Sequence, residues 1–174
     1  MSQLTAKICV LGDFAVGKTS TVARFVHDQF SDKYLTTIGV KIDTREFCID
    51  QTAIKFVVWD VAGTDKLKTV EMSYLKGASG YVLVCDGTRG DTLGAALGLA
   101  EQARARFGQV PQVLLANKRD LATQWEIKHS ALAAVAESGT PVFETSAKTG
   151  ENVDGAIETL ARQIIQQAYT SAAT

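Results

Sequence analysis

The stretch of this chain best equipped for chemistry runs Val10-Leu11-Gly12-Asp13-Phe14-Ala15-Val16-Gly17-Lys18-Thr19. An apolar run ends in a glycine, a second glycine follows five residues on, and Lys18-Thr19-Ser20 opens a segment with helical spacing. Gly-x-x-x-x-Gly-Lys-Thr between a strand and a helix is a phosphate-cradling loop. A polyphosphate needs a ring of backbone N–H groups aimed inward, and glycine lets the chain turn tightly with no Cβ in the way. The helix start adds unpaired N–H groups and the positive end of a dipole. Lys18 supplies a mobile charge for the outer phosphates, and the Thr19 hydroxyl can ligate Mg²⁺. A turn with a coincidental lysine would not need a strand before it and a helix after it.

Three further constellations follow apolar runs. Asp60, just after one such run, has the place of an acid that holds Mg²⁺, directly or through water. Gly63 follows, with an N–H that could meet a terminal phosphate because no side chain blocks it. Asp-x-x-Gly alone is more often a plain turn. Asn117-Lys118-Arg119-Asp120-Leu121 follows the Val113–Ala116 run. An aspartate there can accept both N1–H and the N2 amine of guanine, a donor pair that adenine lacks. After the last apolar run comes Ser146-Ala147-Lys148, where a backbone N–H could meet guanine O6.

These residues need a scaffold, and the pattern supplies one. Leu4 to Leu11, Val40 to Ile49, Ala53 to Trp59, Gly80 to Asp86, Val113 to Ala116 and Val142-Phe143 read as strands. The second and third are joined by Asp50-Gln51-Thr52, short enough for an antiparallel hairpin. Helical spacing marks Val22, Phe25 and Val26, then Leu93 to Phe107, about Ile127 to Ser138, and Val153, Ile157, Leu160 and Ile164. Strands alternating with helices imply right-handed crossovers and a parallel sheet covered on both faces. The expected fold is α/β, a P-loop NTPase sandwich whose six-stranded, mostly parallel sheet has one antiparallel edge strand. Phe30 to Gly39 breaks all periodicity, and a long loop in a compact domain tends to be functional. Ser171 to Thr174 reads as a fraying end.

The whole chain, 1–174, is expected to form one domain, a monomer with a full hydrophobic core. Its net charge is −1 with dispersed basic residues, so no basic patch suggests nucleic acid as a partner. No apolar run is long enough to span a bilayer. Cys9, Cys48 and Cys85 are far apart in strand-like runs and read as reduced thiols acting as small hydrophobes, which fits a cytoplasmic location. Position 2 is Ser and no cysteine lies near Thr174, so membrane association is expected only through a partner or a missing tail.

With all four constellations in order, the sequence resembles the Ras superfamily of small GTPases from Leu4 to about Tyr169, and within it most resembles the Rab branch. Thr36-Thr37-Ile38-Gly39-Val40, Trp59-Asp60, Tyr74-Leu75-Lys76-Gly77-Ala78 and Asn117-Lys118-Arg119-Asp120-Leu121 carry the likeness. The resemblance implies a switch cycling between GDP and GTP with Mg²⁺. Thr19, Thr37 and Asp60 would serve the metal. Gly12 through Ser20 and Gly63 would hold the phosphates, and Lys18, Thr37, Gly63 and Thr64 occupy the catalytic positions. Phe30, Asn117, Lys118, Asp120, Leu121, Ser146, Ala147 and Lys148 would hold the base, while Tyr34 closes over the phosphates. Tyr34, Thr37 and Gly63 would sit in loops ordered by the γ-phosphate. An exchange factor and a GTPase-activating protein are implied, with effectors meeting Ile38, Gly39, Val40, Ile42, Trp59 and Tyr74.

The chain departs from the family at three points. Thr64 replaces the glutamine that orients the attacking water, and a threonine has no carboxamide to copy that geometry. The Rap branch also carries threonine there, and its partners supply the missing amide in trans. Phe14 stands where a small residue is usual, either crowding the approach of an arginine finger or packing on a switch loop. Ile42 stands where the aromatic triad of the Rab branch has phenylalanine, leaving Trp59 and Tyr74. The expectation is slow hydrolysis that needs help, with a GTP-binding scaffold that hydrolyses essentially nothing as the alternative. For Trp59 the reading is an exposed partner-binding residue, set against a tryptophan capping the sheet.

Overall fold

Alternation along the first apolar run decides where the two cores form. Leu4–Leu11 becomes β1, and its even residues Ala6, Ile8 and Val10 face one side while Cys9 and Leu11 face the other. In this computed structural model, residues 3–33, 37, 39–63 and 70–174 are described; Tyr34, Thr36, Ile38 and Thr64 lie outside them. The elements that follow are α1 (Lys18–His27), β2 (Val40–Ile49), β3 (Thr52–Val61), β4 (Gly80–Asp86), α2 (Asp91–Phe107), β5 (Gln112–Asn117), α3 (His129–Glu137), β6 (Val142–Glu144) and α4 (Val153–Ala172). They build the expected sheet, ordered β2-β3-β1-β4-β5-β6, with β2 antiparallel at one edge and every other pairing parallel.

On one face, Val82, Val84, Val113 and Leu115 join β1 beneath α1 and α4. There α4 buries Val153, Ile157, Leu160 and Ile164, a spacing of three and four residues along one stripe. On the other face, Leu83, Cys85, Leu114 and Ala116 pack under α2 and α3. Each fully buried aliphatic side chain contributes roughly 1.5–3 kcal/mol relative to exposure. Both faces being covered explains why β4 and β5 read as continuous apolar runs.

Several boundaries differ from the sequence reading, each for a physical reason. Thr52 pairs with Ile49, so the hairpin turn is only Asp50-Gln51, both left-handed at φ 47° and 69°. Two successive positive φ values match the right-handed twist of the strands. Asp60 and Asn117 lie inside strands because their pairings with Lys41 and Asp86 continue the ladders. α3 starts at His129, since the Glu126 and Ile127 N–H groups donate instead to the Gly87 carbonyl. Two 3-10 turns, Met72–Leu75 and Arg119–Gln124, carry too little periodicity to be visible. α4 continues through Ser171 and Ala172, which are helical rather than frayed.

Cys9 and Cys85 are the expected buried hydrophobes, their thiols pushed up to about 12 by burial. Cys48 is a correction. It is exposed on β2, because Phe47 and Ile49 take the inward positions on either side of it. Among the described residues, no helix is long and apolar enough to cross a membrane.

Candidate functional site

The carboxyl ends of β1, β3, β4 and β5 and the loop after β6 meet along one rim of the sheet. There a cleft of about 400 Å³ opens, lined by Phe14, Ala15 and Gly17 to Ser20 from the first loop. Phe30, Thr37, Gly63, Asn117, Lys118, Asp120, Leu121, Ala147 and Lys148 complete most of its wall. Gly12, Val16, Asp60 and Ser146 stand behind it, all buried or nearly so. Ala23, Ser31, Asp32, Lys33 and Ala62 also line the cleft and were not anticipated; small or loop residues carry no chemical signal of their own.

Each carbonyl of the first loop from Asp13 to Val16 is held by a side chain. The carbonyls of Asp13, Phe14, Ala15 and Val16 accept, in turn, from Lys18 Nζ at 2.9 Å, Arg89 Nη2 at 2.6 Å, Lys118 Nζ at 2.9 Å and Asn117 Nδ2 at 3.0 Å. The Gly17 carbonyl accepts from Thr21 N at 2.8 Å and begins α1. A trans peptide points each N–H opposite the preceding carbonyl, so the Phe14 carbonyl, held by Arg89 away from the cleft lining, turns the Ala15 N–H toward the cleft. Gly17 has φ 101°, and a Cβ there would collide with the Asn117 carboxamide. At Gly63 a Cβ would come within 2.6 Å of Lys18 Nζ and 2.9 Å of Phe14 N. Glycine at 63 is therefore needed for the two loops to meet.

Lys18 is buried, and burial lowers its ammonium to about 8 even though Asp60 and Asp13 pull the other way. Close by, the Thr19 hydroxyl donates to Asp60 Oδ2 at 2.6 Å and lies 2.6 Å from the Thr37 hydroxyl. Asp60 Oδ1 is buried without a partner among the described residues, and burial raises that carboxyl above its usual range. Two hydroxyls gathered at Oδ2 of a carboxylate whose Oδ1 is left over form a hard oxygen donor set, which fits Mg²⁺.

The far end of the cleft is tied by side chains. Asn117 is buried with both amide ends engaged: Nδ2 on the Val16 carbonyl, Oδ1 accepting from Ala147 N at 3.1 Å and Thr145 Oγ1 at 3.3 Å. It therefore joins the first loop to the last. Asp120 is exposed toward the cleft and accepts from Ser146 Oγ at 2.7 Å. Lys118 crosses between them, its Nζ 2.8 Å from buried Asp86.

The glycine-bracketed first loop, a hydroxyl–carboxylate cluster that fits Mg²⁺ and the exposed Asp120 thus meet at one rim of the sheet. The family model for the Ras family matches residues 7–166. The chain belongs to the Ras family. Its curated relatives include the Ras-related protein Rab-13 of Canis lupus familiaris, 37% identical over 161 residues that cover 91% of this chain and 79% of that protein. The GTP-binding protein ypt1 of Schizosaccharomyces pombe is 34% identical over 160 residues, again 91% of this chain and 79% of the relative. These relatives place this Ras-family chain with the Rab branch, among GTPases whose general ligands are GTP, GDP and Mg²⁺.

The supporting residues were harder to read from sequence than the lining. Arg24 on α1 donates to the Ala147 and Lys148 carbonyls at 2.9 and 2.6 Å, fixing the last loop. Asp86 and Arg89 stand behind the first loop; the only signal was a charge at the end of an apolar strand. At the neighbouring surface, Ile42 is 49% exposed and pairs with Trp59 across the hairpin. Trp59 itself is half-buried, with Lys7 Nζ 3.8 Å above its ring and the Tyr74 ring 6.2 Å away. It packs against the core on the α2 face while staying partly exposed, between the two alternatives the sequence left open.

Proposed function

We propose that this Ras-family chain is a Rab-like molecular switch that binds GTP with Mg²⁺, hydrolyses it slowly to GDP and phosphate, and presents different surfaces in the two states. The convergence of the first loop, Thr37 and Asp120 on one cleft, with the Asp60 carboxylate directly behind Thr19, carries the reading. Thr19, Thr37 and Asp60 would hold the metal, which supplies charge neutralisation for the phosphates. Lys18 and the inward amides of Asp13 through Lys18 bind and orient the phosphate chain. Gly63 gives its N–H to the γ-phosphate, as Thr37 also would. Phe30 and the Lys118 stem flank the base, and Asp120 and the Ala147 N–H read its edge. The chain 1–174 acts as one unit, as a monomer, in the cytoplasm.

Slow hydrolysis follows from two residues. Thr64 lacks the carboxamide that orients water. Phe14 lines the cleft and is 38% exposed, a benzyl group at the mouth where a small residue is usual. Phe14 also supports the second reading, a scaffold that signals by occupancy with negligible turnover. Effectors would meet Gly39, Val40, Ile42, Trp59 and Tyr74, while an exchange factor and an activating protein would set the cycle.

Single-turnover assays on the purified, GTP-loaded chain test this. The expected rate is at or below about 10⁻³ s⁻¹, the unassisted Ras scale. A rate near 10⁻² s⁻¹, the scale of a G protein with its arginine in cis, contradicts it. Acceleration by an activating protein that inserts an Asn or Gln favours the slow enzyme; no acceleration at any dose favours the scaffold. Asp120→Asn should weaken the preference for guanine over adenine nucleotides.

A further inference from the structure

We propose that Arg89 is a positioning residue for phosphate binding, one that aims a single amide of the first loop; this rests on reading Gly12 to Thr19 as the phosphate cradle. Arg89 belongs to none of the motifs that identify the site. It lies in the turn between β4 and α2, and its guanidinium is divided between two acceptors. Nε donates to Asp86 Oδ2 at 3.1 Å, and Nη2 donates to the Phe14 carbonyl at 2.6 Å. A planar fork of fixed donors can hold both acceptors at once, which a lysine ammonium at the end of a flexible stem does less well.

The need for such a grip lies in Ala15. Its φ is +61°, a left-handed conformation that a residue with a Cβ adopts only at a cost. Strain at that residue is relieved most directly by rotating one of the flanking peptides. Both are pinned. Arg89 holds the peptide before Ala15 through the Phe14 carbonyl, and Lys118 holds the peptide after it through the Ala15 carbonyl at 2.9 Å. Fixing the Phe14 carbonyl outward turns the Ala15 N–H inward, toward the phosphates.

Both cations are anchored on the same group. Asp86 is 1% exposed, and its Oδ2 takes Lys118 Nζ at 2.8 Å as well as Arg89. Its Oδ1 accepts from the Thr88 N–H at 2.9 Å and hydroxyl at 2.7 Å, which fixes the carboxylate plane. One buried carboxylate therefore sets the two side chains on either side of a strained residue.

The experiment compares GDP with GMP, which shares the base and the first phosphate but not the second. Binding of GDP by the wild-type chain is measured first; its absence would overturn the phosphate reading itself, and this proposal with it. Given that binding, Arg89→Ala should speed GDP dissociation about tenfold, the scale of a charge-assisted hydrogen bond, while GMP affinity stays within about twofold. Arg89→Lys should recover part of the loss. In an Ala15→Gly background, where the left-handed conformation carries no strain, Arg89→Ala should cost less than about threefold. Arg89→Met, which keeps the stem but no donor, should repeat the same split if the alanine variant does not fold. Unchanged GDP release, or equal losses for GDP and GMP, would overturn the proposal.

Discussion

Lys18 is a residue whose charge depends on what enters the cleft. Burial lowers its ammonium from 10.5 to about 8, against the pull of Asp60 and Asp13. Polyphosphate charges raise it again, because a nearby anion favours the charged form. The free protein therefore releases this proton above pH 8, and the complex keeps it. Binding between pH 8 and the higher value of the complex takes up a proton, and the contribution of Lys18 is complete below 8 and fades above it. Calorimetry of GDP binding at pH 8.5, in two buffers of different ionisation enthalpy, should show net proton uptake that Lys18→Met abolishes. Lys18 was legible because its spacing from two glycines is a chemical pattern. Arg89 was not, because its acceptor is a backbone carbonyl 75 residues away, and a carbonyl has no sequence signature.

Among the elements, α1 does more than present its N-terminus. The same helix carries Arg24, which holds the Ala147 and Lys148 carbonyls, so phosphate loop and base loop are gauged from one rigid rod. The β2–β3 hairpin shows where sequence reading stops. Its strands were visible from alternation, but the length of the turn depended on whether Thr52 joins the ladder, a choice that backbone twist makes. Gln51 sits at φ 69° with a Cβ, whereas Asp50 also pairs with Arg162 of α4 at 3.2 Å. Gln51→Gly should therefore stabilise the protein by about 0.5–1 kcal/mol, relief of strain exceeding the added chain entropy. Chemical denaturation midpoints with an unchanged slope would measure it. The strands and α-helices were legible because period-two and period-3.6 patterns survive in buried segments. The two 3-10 turns were not, being too short to establish a period.

For the whole molecule, the cleft draws on the ends of most of the strands, so ligand and fold share one free energy. Occupancy at 100 times Kd adds about 2.7 kcal/mol. For a domain of this size the melting midpoint should then rise by about 5–10 °C with GDP and Mg²⁺. Scanning calorimetry with and without EDTA separates the part owed to the metal; no shift with GDP would mean that the cleft does not close on it. The outward carbonyls of the first loop also have a consequence for how such a chain can change by descent. What a phosphate meets there is backbone, so the side chain at 14 can vary without removing an amide from the cradle. The constraint is displaced to positions remote in sequence: 117 and 118, inside the Asn-Lys-x-Asp motif, and 86 and 89, which belong to no motif. A lineage could shed Arg89 with little harm only after glycine had appeared at 15, so the order of those two changes matters.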